Sequence, residues 1–322
     1  MKPFFCLLAI SLLLMPGFIS AQKQNIRVIN CSVEKNASDN SYSIYAESTA
    51  FAPYTVKLIF STLKGYWATP ILNDMALATV NKGRQQILRL VPEKGSPIYS
   101  FNYHFQYFPG KASRRPPFDS SFLYLIPATP GNTIRVSLVN NMRDRLGQKD
   151  ETGFSGTGFH YHFGDTICAA RAGTVYECYD EVKEGEKNNE VYKADRNRIG
   201  IEHKDGSIAQ YSIRAPITLL VEPGDEVVPG QPLAIFSKES DKMEVMFSVY
   251  YLDEKKIMAD NNTMPTTQIP NFHVYLPTSF YTGEGGVTNP SLMLNKTFIV
   301  SHAKKIIGEE LSKKEKKKLG LL

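Results

Sequence analysis

Between Tyr99 and Tyr107 every second residue is aromatic. Tyr99, Phe101, Tyr103, Phe105 and Tyr107 alternate with Ser100, Asn102, His104 and Gln106. Successive side chains of an extended strand point to opposite faces, so this spacing puts five aromatic rings on one face of a β-strand. Val56–Phe60 and Ile87–Val91 read as further strands, separated by turns that contain Pro and Gly. A strand with one aromatic face needs a second layer to cover it, and the expectation for residues 22–126 is an immunoglobulin-like β-sandwich. His104 falls on the polar side of its strand and reads as a surface histidine.

Charge removes one class of partner. The formal excess of +5 sits mostly in the last nineteen residues, where seven Lys face three Glu. The remainder is nearly balanced and has no basic face for nucleic acid. Apolar residues make up 42% of the chain and charged residues 21%, which excludes both a disordered and a membrane-spanning bulk. The N-terminus carries Lys2, an apolar run from Phe4 to Leu14, and Ile19-Ser20-Ala21 as a cleavage site. This is the layout of a secretory signal over residues 1–21, too short for a transmembrane span, and it implies an exported, soluble mature chain, periplasmic or extracellular. Cys31, Cys168 and Cys178 then remain. An odd number cannot pair fully, and buried thiols are expected, although Cys168 and Cys178 flank an expected hairpin turn and could be bridged.

The second half has its own pattern. Thr166 to Val175 reads as strand, tight turn and return strand. Arg198–Gly206 and Ala209–Ile213 read as a further pair. Val221-Glu222-Pro223-Gly224-Asp225 and Val228-Pro229-Gly230-Gln231 follow, with Gly wherever a turn needs positive φ. This is the turn pattern of a small closed β fold. Pro109–Pro117, Asn141–Gly158 and Glu181–Asn189 read as loops, and Pro127–Gly131 as a hinge. Phe298–Val300 reads as a last strand. Ala303, Ile306, Ile307, Glu310 and Leu311 have helical spacing, continued by Lys313–Lys318 as a basic helix end.

The segments from Gly164 to Val175, Ile201 to Ile213, Val221 to Phe236 and Leu276 to Gly286 together resemble the lysostaphin-like (LytM-type) zinc metallopeptidases, from about Tyr124 to His302. The resemblance implies a duplicated-hybrid-motif β-barrel-like domain over residues 127–302, behind a sandwich and ahead of a basic helical tail at 303–322, all-β overall. It implies peptidoglycan as substrate. It also implies a zinc ion held by His, Asp and the second His of a His-x-His strand, with two more His handling protons. Carried onto this chain, the Asp position falls on Gly158. The His-x-His strand falls on Glu244-Val245-Met246, and the His of a Tyr-x-His-Leu strand falls on Ile213. No His lies between Met142 and Gly158 to supply the remaining ligand. Glycine has no donor and a thioether is a poor one for Zn²⁺, so the resemblance implies a degenerate site at Gly158, Ile213, Glu244 and Met246, with no catalytic residue and no cofactor.

The resulting expectation is a non-catalytic envelope protein that binds peptidoglycan or a partner such as an amidase. The alternative is an active endopeptidase with a relocated zinc site at His160 and His162, which share a face if the strand continues, with Asp165, His203 or Glu244 as a third donor. His203 sits before a Lys-Asp-Gly turn and reads as structural. A third reading is a carrier domain of the biotinyl or lipoyl type, opposed by the position of Lys242-Met243 after the hairpin rather than before it.

Overall fold

The computed structural model describes residues 28–69, 71, 74–114, 119, 121–139, 154–180, 197–240, 243–260, 272–283, 287–288 and 293–322. The expected signal segment, the loop at 181–189 and most of the loop at 141–158 lie outside the described residues. The chain is all-β. In order, its elements begin with β1 (Ile29–Lys35), β2 (Tyr42–Ser48), β3 (Tyr54–Lys64), β4 (Tyr66–Trp67), β5 (Met75–Val80), β6 (Gly83–Pro92) and β7 (Ser100–Pro109). Next come β8 (Ala112–Ser113), β9 (Leu123–Leu125), β10 (Thr133–Val139), β11 (Gly156–His160), β12 (Thr166–Cys168) and β13 (Gly173–Tyr179). Then follow β14 (Asn197–Glu202), β15 (Ile208–Ile213), β16 (Ile217–Leu219), β17 (Glu226–Val227), β18 (Pro232–Phe236) and β19 (Glu244–Asp253). The last are α1 (Glu254–Ala259), β20 (His273–Tyr275), β21 (Ser279–Tyr281), β22 (Val287–Thr288), β23 (Thr297–Ile299), α2 (Lys304–Gly308) and α3 (Lys313–Lys318).

The first seven strands form two sheets, ordered β1-β2-β6-β4 and β5-β3-β7. Ile44, Ala46, Leu88 and Leu90 from one sheet meet Val56, Leu58, Phe60 and Val80 from the other in a single core. Four of the five alternating aromatics, Phe101, Tyr103, Phe105 and Tyr107, pack against it. Tyr99 precedes β7 and is exposed. His104 departs from its reading as a surface residue. It stands opposite Ile59, and its Nε2 is shielded from solvent with no hydrogen-bond partner among the described residues. The reason is that β3 is covered on both faces: Thr55, Lys57 and Ile59 are buried as well as Val56, Leu58 and Phe60.

What covers the second face is α1. Lys57 is wholly buried, and its ammonium donates to the carbonyls of Ile257 (2.8 Å) and Asp260 (2.5 Å) at the C-terminal end of that helix. A cation there satisfies terminal carbonyls and complements the helix dipole. Burial nonetheless pulls the Lys57 pKa down, partly offset by the charge of Asp260. Around the ammonium, Leu252, Ile257 and Phe272 pack with Leu77, Phe108 and Ala112, joining the two halves of the molecule.

The second half is built on a ten-stranded sheet, β17-β13-β14-β15-β19-β11-β10-β23, with β20 and β8 also pairing to β19. A three-stranded sheet, β12-β18-β16, covers its apolar face. The segment Thr166–Val175 is therefore not a hairpin, because β12 pairs with β18 while β13 pairs with β14 and β17. Cys168 and Cys178 lie on strands of different sheets. They and Cys31 are free thiols, and burial pushes Cys31 and Cys168 up to about 11 and Cys178 to about 12. At such values the nucleophilic thiolate is scarce near neutral pH. Gly206, Gly224 and Gly230 have φ of 83°, 105° and 84°, the left-handed conformation that their turns require. The C-terminal spacing gives two helices rather than one. Ser312 starts α3 with a capping box, its hydroxyl accepting from the Glu315 N–H while Glu315 accepts from the Ser312 N–H at 2.7 Å. No helix among the described residues is long and apolar enough to cross a membrane.

Gly200, on β14, marks a close approach. A Cβ there would lie 2.3 Å from the ring of Tyr176, which occupies a bulge in β13. Gly200→Ala should cost about 1–3 kcal/mol in urea unfolding through overpacking, and clearly less in a Tyr176→Ala background. Equal costs in both backgrounds would remove the contact as the cause.

Candidate functional site

On the ten-stranded sheet, β10, β11, β19 and β15 lie side by side in a register that decides which residues meet. Ser137 stands opposite Gly158, Gly158 opposite Met246, and Met246 opposite Ser212. One row along, Arg135 stands opposite His160 and His160 opposite Glu244. Side chains alternate, so Ile134, Val136, Phe159, Val245, Phe247 and Tyr211 point into the core, each with no exposed surface. The other face presents Arg135, Ser137, Gly158, His160, Glu244, Met246 and Ser212. Ile213 does not join them. It pairs with Val245 and is wholly buried on the core face, and Ser212 takes the place beside Met246. The structure thus brings Gly158, Glu244 and Met246 together and leaves Ile213 on the far side of the sheet.

The charged end of this face is a chain of hydrogen bonds. His160 Nε2 lies 3.0 Å from Ser137 Oγ, Ser137 Oγ donates to Glu244 Oε1 at 3.4 Å, and Arg214 Nη1 lies 3.3 Å from Glu244 Oε2. With the Ser137 proton directed at the carboxylate, His160 Nε2 donates to Ser137; in the other imidazole tautomer Ser137 donates to His160. A serine nucleophile needs the second polarity, with an unprotonated imidazole nitrogen at the hydroxyl and a carboxylate on the other ring nitrogen. Here Glu244 approaches the same nitrogen, at 3.8 Å. The carboxylate therefore lies on the Ser137 side of the imidazole. Burial pushes the His160 pKa below the usual histidine value, opposed by Glu244 and assisted by Arg135 and Arg214.

His162 lies past the end of β11 and serves a different carboxylate. Its Nδ1 is 3.5 Å from Asp165 Oδ2, with the side chain 77% exposed. The two imidazoles are therefore not brought to one point. Among the described residues no group of three or more His, Cys, Asp or Glu is placed to hold a metal ion. The positions that the resemblance assigns to zinc do not fit it: Gly158 offers no donor, Met246 a thioether, and the hydroxyls of Ser137 and Ser212 are weak neutral ligands. Beyond Met246 the same face carries Ser248, Gln210 and Gly200, the last covered by the Tyr176 ring, and it ends where Tyr176, Ile208 and Tyr250 bury against Ala52 of the first half. Tyr250 stacks on His273 at 4.0 Å, and Phe154 meets Tyr275 at 4.8 Å.

Arg135, Ser137 and Arg214 were not singled out from the sequence. The signal for the first two was present, since Thr133-Ile134-Arg135-Val136-Ser137 alternates polar and apolar residues. His203 is structural, as read. It is buried, and its Nδ1 is 2.7 Å from the carbonyl of Ala172.

Fold and site define an all-β chain with a polar sheet face beside an apolar core. No family model matches the chain, and no curated protein matches it. Several solved structures align with it at low similarity. A putative M23 peptidase from Pseudomonas aeruginosa shares 15% identity over 61% of this chain and 82% of that one, with a TM-score of 0.26. Csd3 of Helicobacter pylori, in its orthorhombic crystal, shares 14% over 92% and 77%, with a TM-score of 0.29. A zinc-containing peptidase from Vibrio cholerae shares 12% over 68% and 81%, with a TM-score of 0.23.

Proposed function

We propose that the protein is an exported component of the cell envelope. Its peptidase-like region, residues 127–302, would bind peptidoglycan or a wall-remodelling partner such as an amidase without cleaving it, alongside a sandwich domain at 22–126. The observation that carries the reading is the direct pairing of Gly158 with Met246 on the polar face. Two positions that would hold zinc in the resembled family are neighbours here, and neither has a donor suited to it. The surrounding face supplies hydrogen-bonding groups at one end, which suits a polar ligand. The network of His160, Ser137, Glu244 and Arg214 would fix that ligand by charge and hydrogen bonding.

The test is co-sedimentation of the purified mature chain with isolated sacculi, with and without a chelator, together with its metal content. Retention unaffected by chelation, with no stoichiometric zinc and no release of wall fragments, is the expected result. Arg214→Glu should weaken retention about tenfold, because it puts a second carboxylate beside Glu244. Stoichiometric zinc with chelator-sensitive release of wall fragments would restore the peptidase reading. A protein that stays in solution would remove wall binding.

A further inference from the structure

We propose that the open edge of β5 is a docking site for an extended acidic peptide, which adds to the sheet as a further strand. This goes beyond the binding face described above and does not depend on it. β5 ends the sheet β5-β3-β7, and β3 is its sole strand partner among the described residues. Beside it lies a cavity of about 200 Å³ lined by Met75, Ala76, Leu77, Ala78 and Thr79 and, on the neighbouring β3, by Thr55. The register sets which of these face outward: Met75, Leu77 and Thr79 pair with Ile59, Lys57 and Thr55 and so share their outer face. Ala76 belongs to the sandwich core instead, and Ala78 pairs with Val56 of that core. The cavity thus spans the outer face from Thr55 of β3 to β5, and Ala76 and Ala78 of the opposite set bring it to the free side of β5, where the ladder groups of an edge strand are offered to a partner.

The opposite wall is shared between the two halves of the molecule. It is made by Ala112 and Arg114, in and just after β8, and by Glu254 and Met258 of α1. A shallow trough of about 580 Å³ continues from the same Ala112, Arg114 and Glu254 to Lys255. The groove is walled on both sides and so admits a strand rather than a sheet. Its mouth carries two cations against one anion. The Arg114 side chain is 71% exposed while its Nε holds Glu254 at 2.9 Å. An occupant is thus recognised through an extended backbone that pairs with β5 and through carboxylates that reach Arg114 and Lys255.

The experiment uses the full mature chain and a fluorescein-labelled peptide of alternating Thr and Glu. Two further versions carry backbone N-methyl groups on alternate residues, one on the odd set and one on the even. A strand added at one edge uses only alternate amides, so one methylated version should lose at least tenfold in affinity while the other binds like the parent. Parent binding should slow hydrogen exchange in residues 75–80, and Arg114→Glu should weaken it about tenfold without lowering thermal stability. Equal loss with both methylated versions, unchanged exchange at 75–80, or self-association in place of peptide binding would each overturn the proposal. Retention on sacculi, governed by Arg214 on a different face, should not change in Arg114→Glu.

Discussion

Arg171→Met should lower the unfolding free energy by about 3 kcal/mol and release the C-terminal helices to protease. The Arg171 side chain is only 5% exposed. Its Nε donates to Glu310 Oε2 at 2.7 Å, and Nη2 reaches the other oxygen of the same carboxylate. Nη1 donates to Asp205 Oδ2 at 2.8 Å and to the Tyr124 hydroxyl at 3.3 Å, and the guanidinium lies 4.0 Å from the centre of the Phe122 ring. Burial works against the charge, yet the hydrogen bond to Glu310 and the fields of Tyr124, Asp205 and Glu310 hold the Arg171 pKa above the usual guanidinium value. Methionine fills much of the volume but leaves two carboxylates, 15% and 20% exposed, without their cation. Partial exposure keeps the cost at the low end for a broken buried pair. The comparison is Arg84 with Glu34, whose side chains are 43% and 56% exposed. Arg84→Met should cost under about 1 kcal/mol. Glu310→Gln should expose residues 303–312 to protease while costing less than Arg171→Met, since Asp205 still holds the guanidinium. Urea midpoints of the three variants decide the matter, and equal shifts for Arg84→Met and Arg171→Met would refute the role of burial.

Where a feature depended on local pattern, the sequence revealed it. The aromatic alternation gave β7, and the turns at Gly206, Gly224 and Gly230 need only the conformational freedom of one residue. Features that depended on distant pairing stayed hidden. Glu310 fits the spacing of an amphipathic helix, and nothing near it says that its carboxylate reaches back 139 positions to Arg171. Lys57 sits in an apolar strand where a single Lys suggests solvent, and only the docking of α1, some 200 positions on, turns that face inward. Thr166–Val175 looks like a hairpin because a turn joins two short β runs, but the sheet to which each run pairs is a global choice. The candidate site was half visible for the same reason. The residue types at Gly158 and Met246 could be read one by one. Ile213 was placed with them by its position in a motif, whereas strand parity sends it to the core.

Acid should destabilise this protein well above the carboxylate range, and His203→Leu should remove about one proton's worth of that sensitivity. His203 is buried beside Tyr124, at 6.1 Å between ring centres, with Arg171 and Asp205 as its charged neighbours. Its Nδ1 faces a carbonyl and must therefore carry the proton, which leaves Nε2 as an acceptor with no partner among the described residues. Protonation would create a second buried N–H with nothing to receive it, next to a guanidinium. Desolvation first, then the charge of Arg171, push the His203 pKa down to about 3, against help from the Ala172 carbonyl and Asp205. The unfolded chain takes up this proton near pH 6.5 and the folded chain only near 3, so the unfolded state binds more protons throughout that window. The stabilising contribution is complete above pH 6.5 and is lost as pH falls toward 3, about 5 kcal/mol at most. Asp205, whose pKa is also lowered, adds a loss of the same sign only below its ordinary carboxylate range. His302, lowered by burial, contributes in the same direction as His203. His203→Leu gives up the bond to Ala172, about 1 kcal/mol at neutral pH. Its stability should then fall less steeply between pH 6.5 and 4 than that of the parent, so that the two curves converge. Unfolding curves in urea at half-unit pH steps measure this directly, and parallel curves for parent and variant would show that His203 takes up its proton without opening the fold.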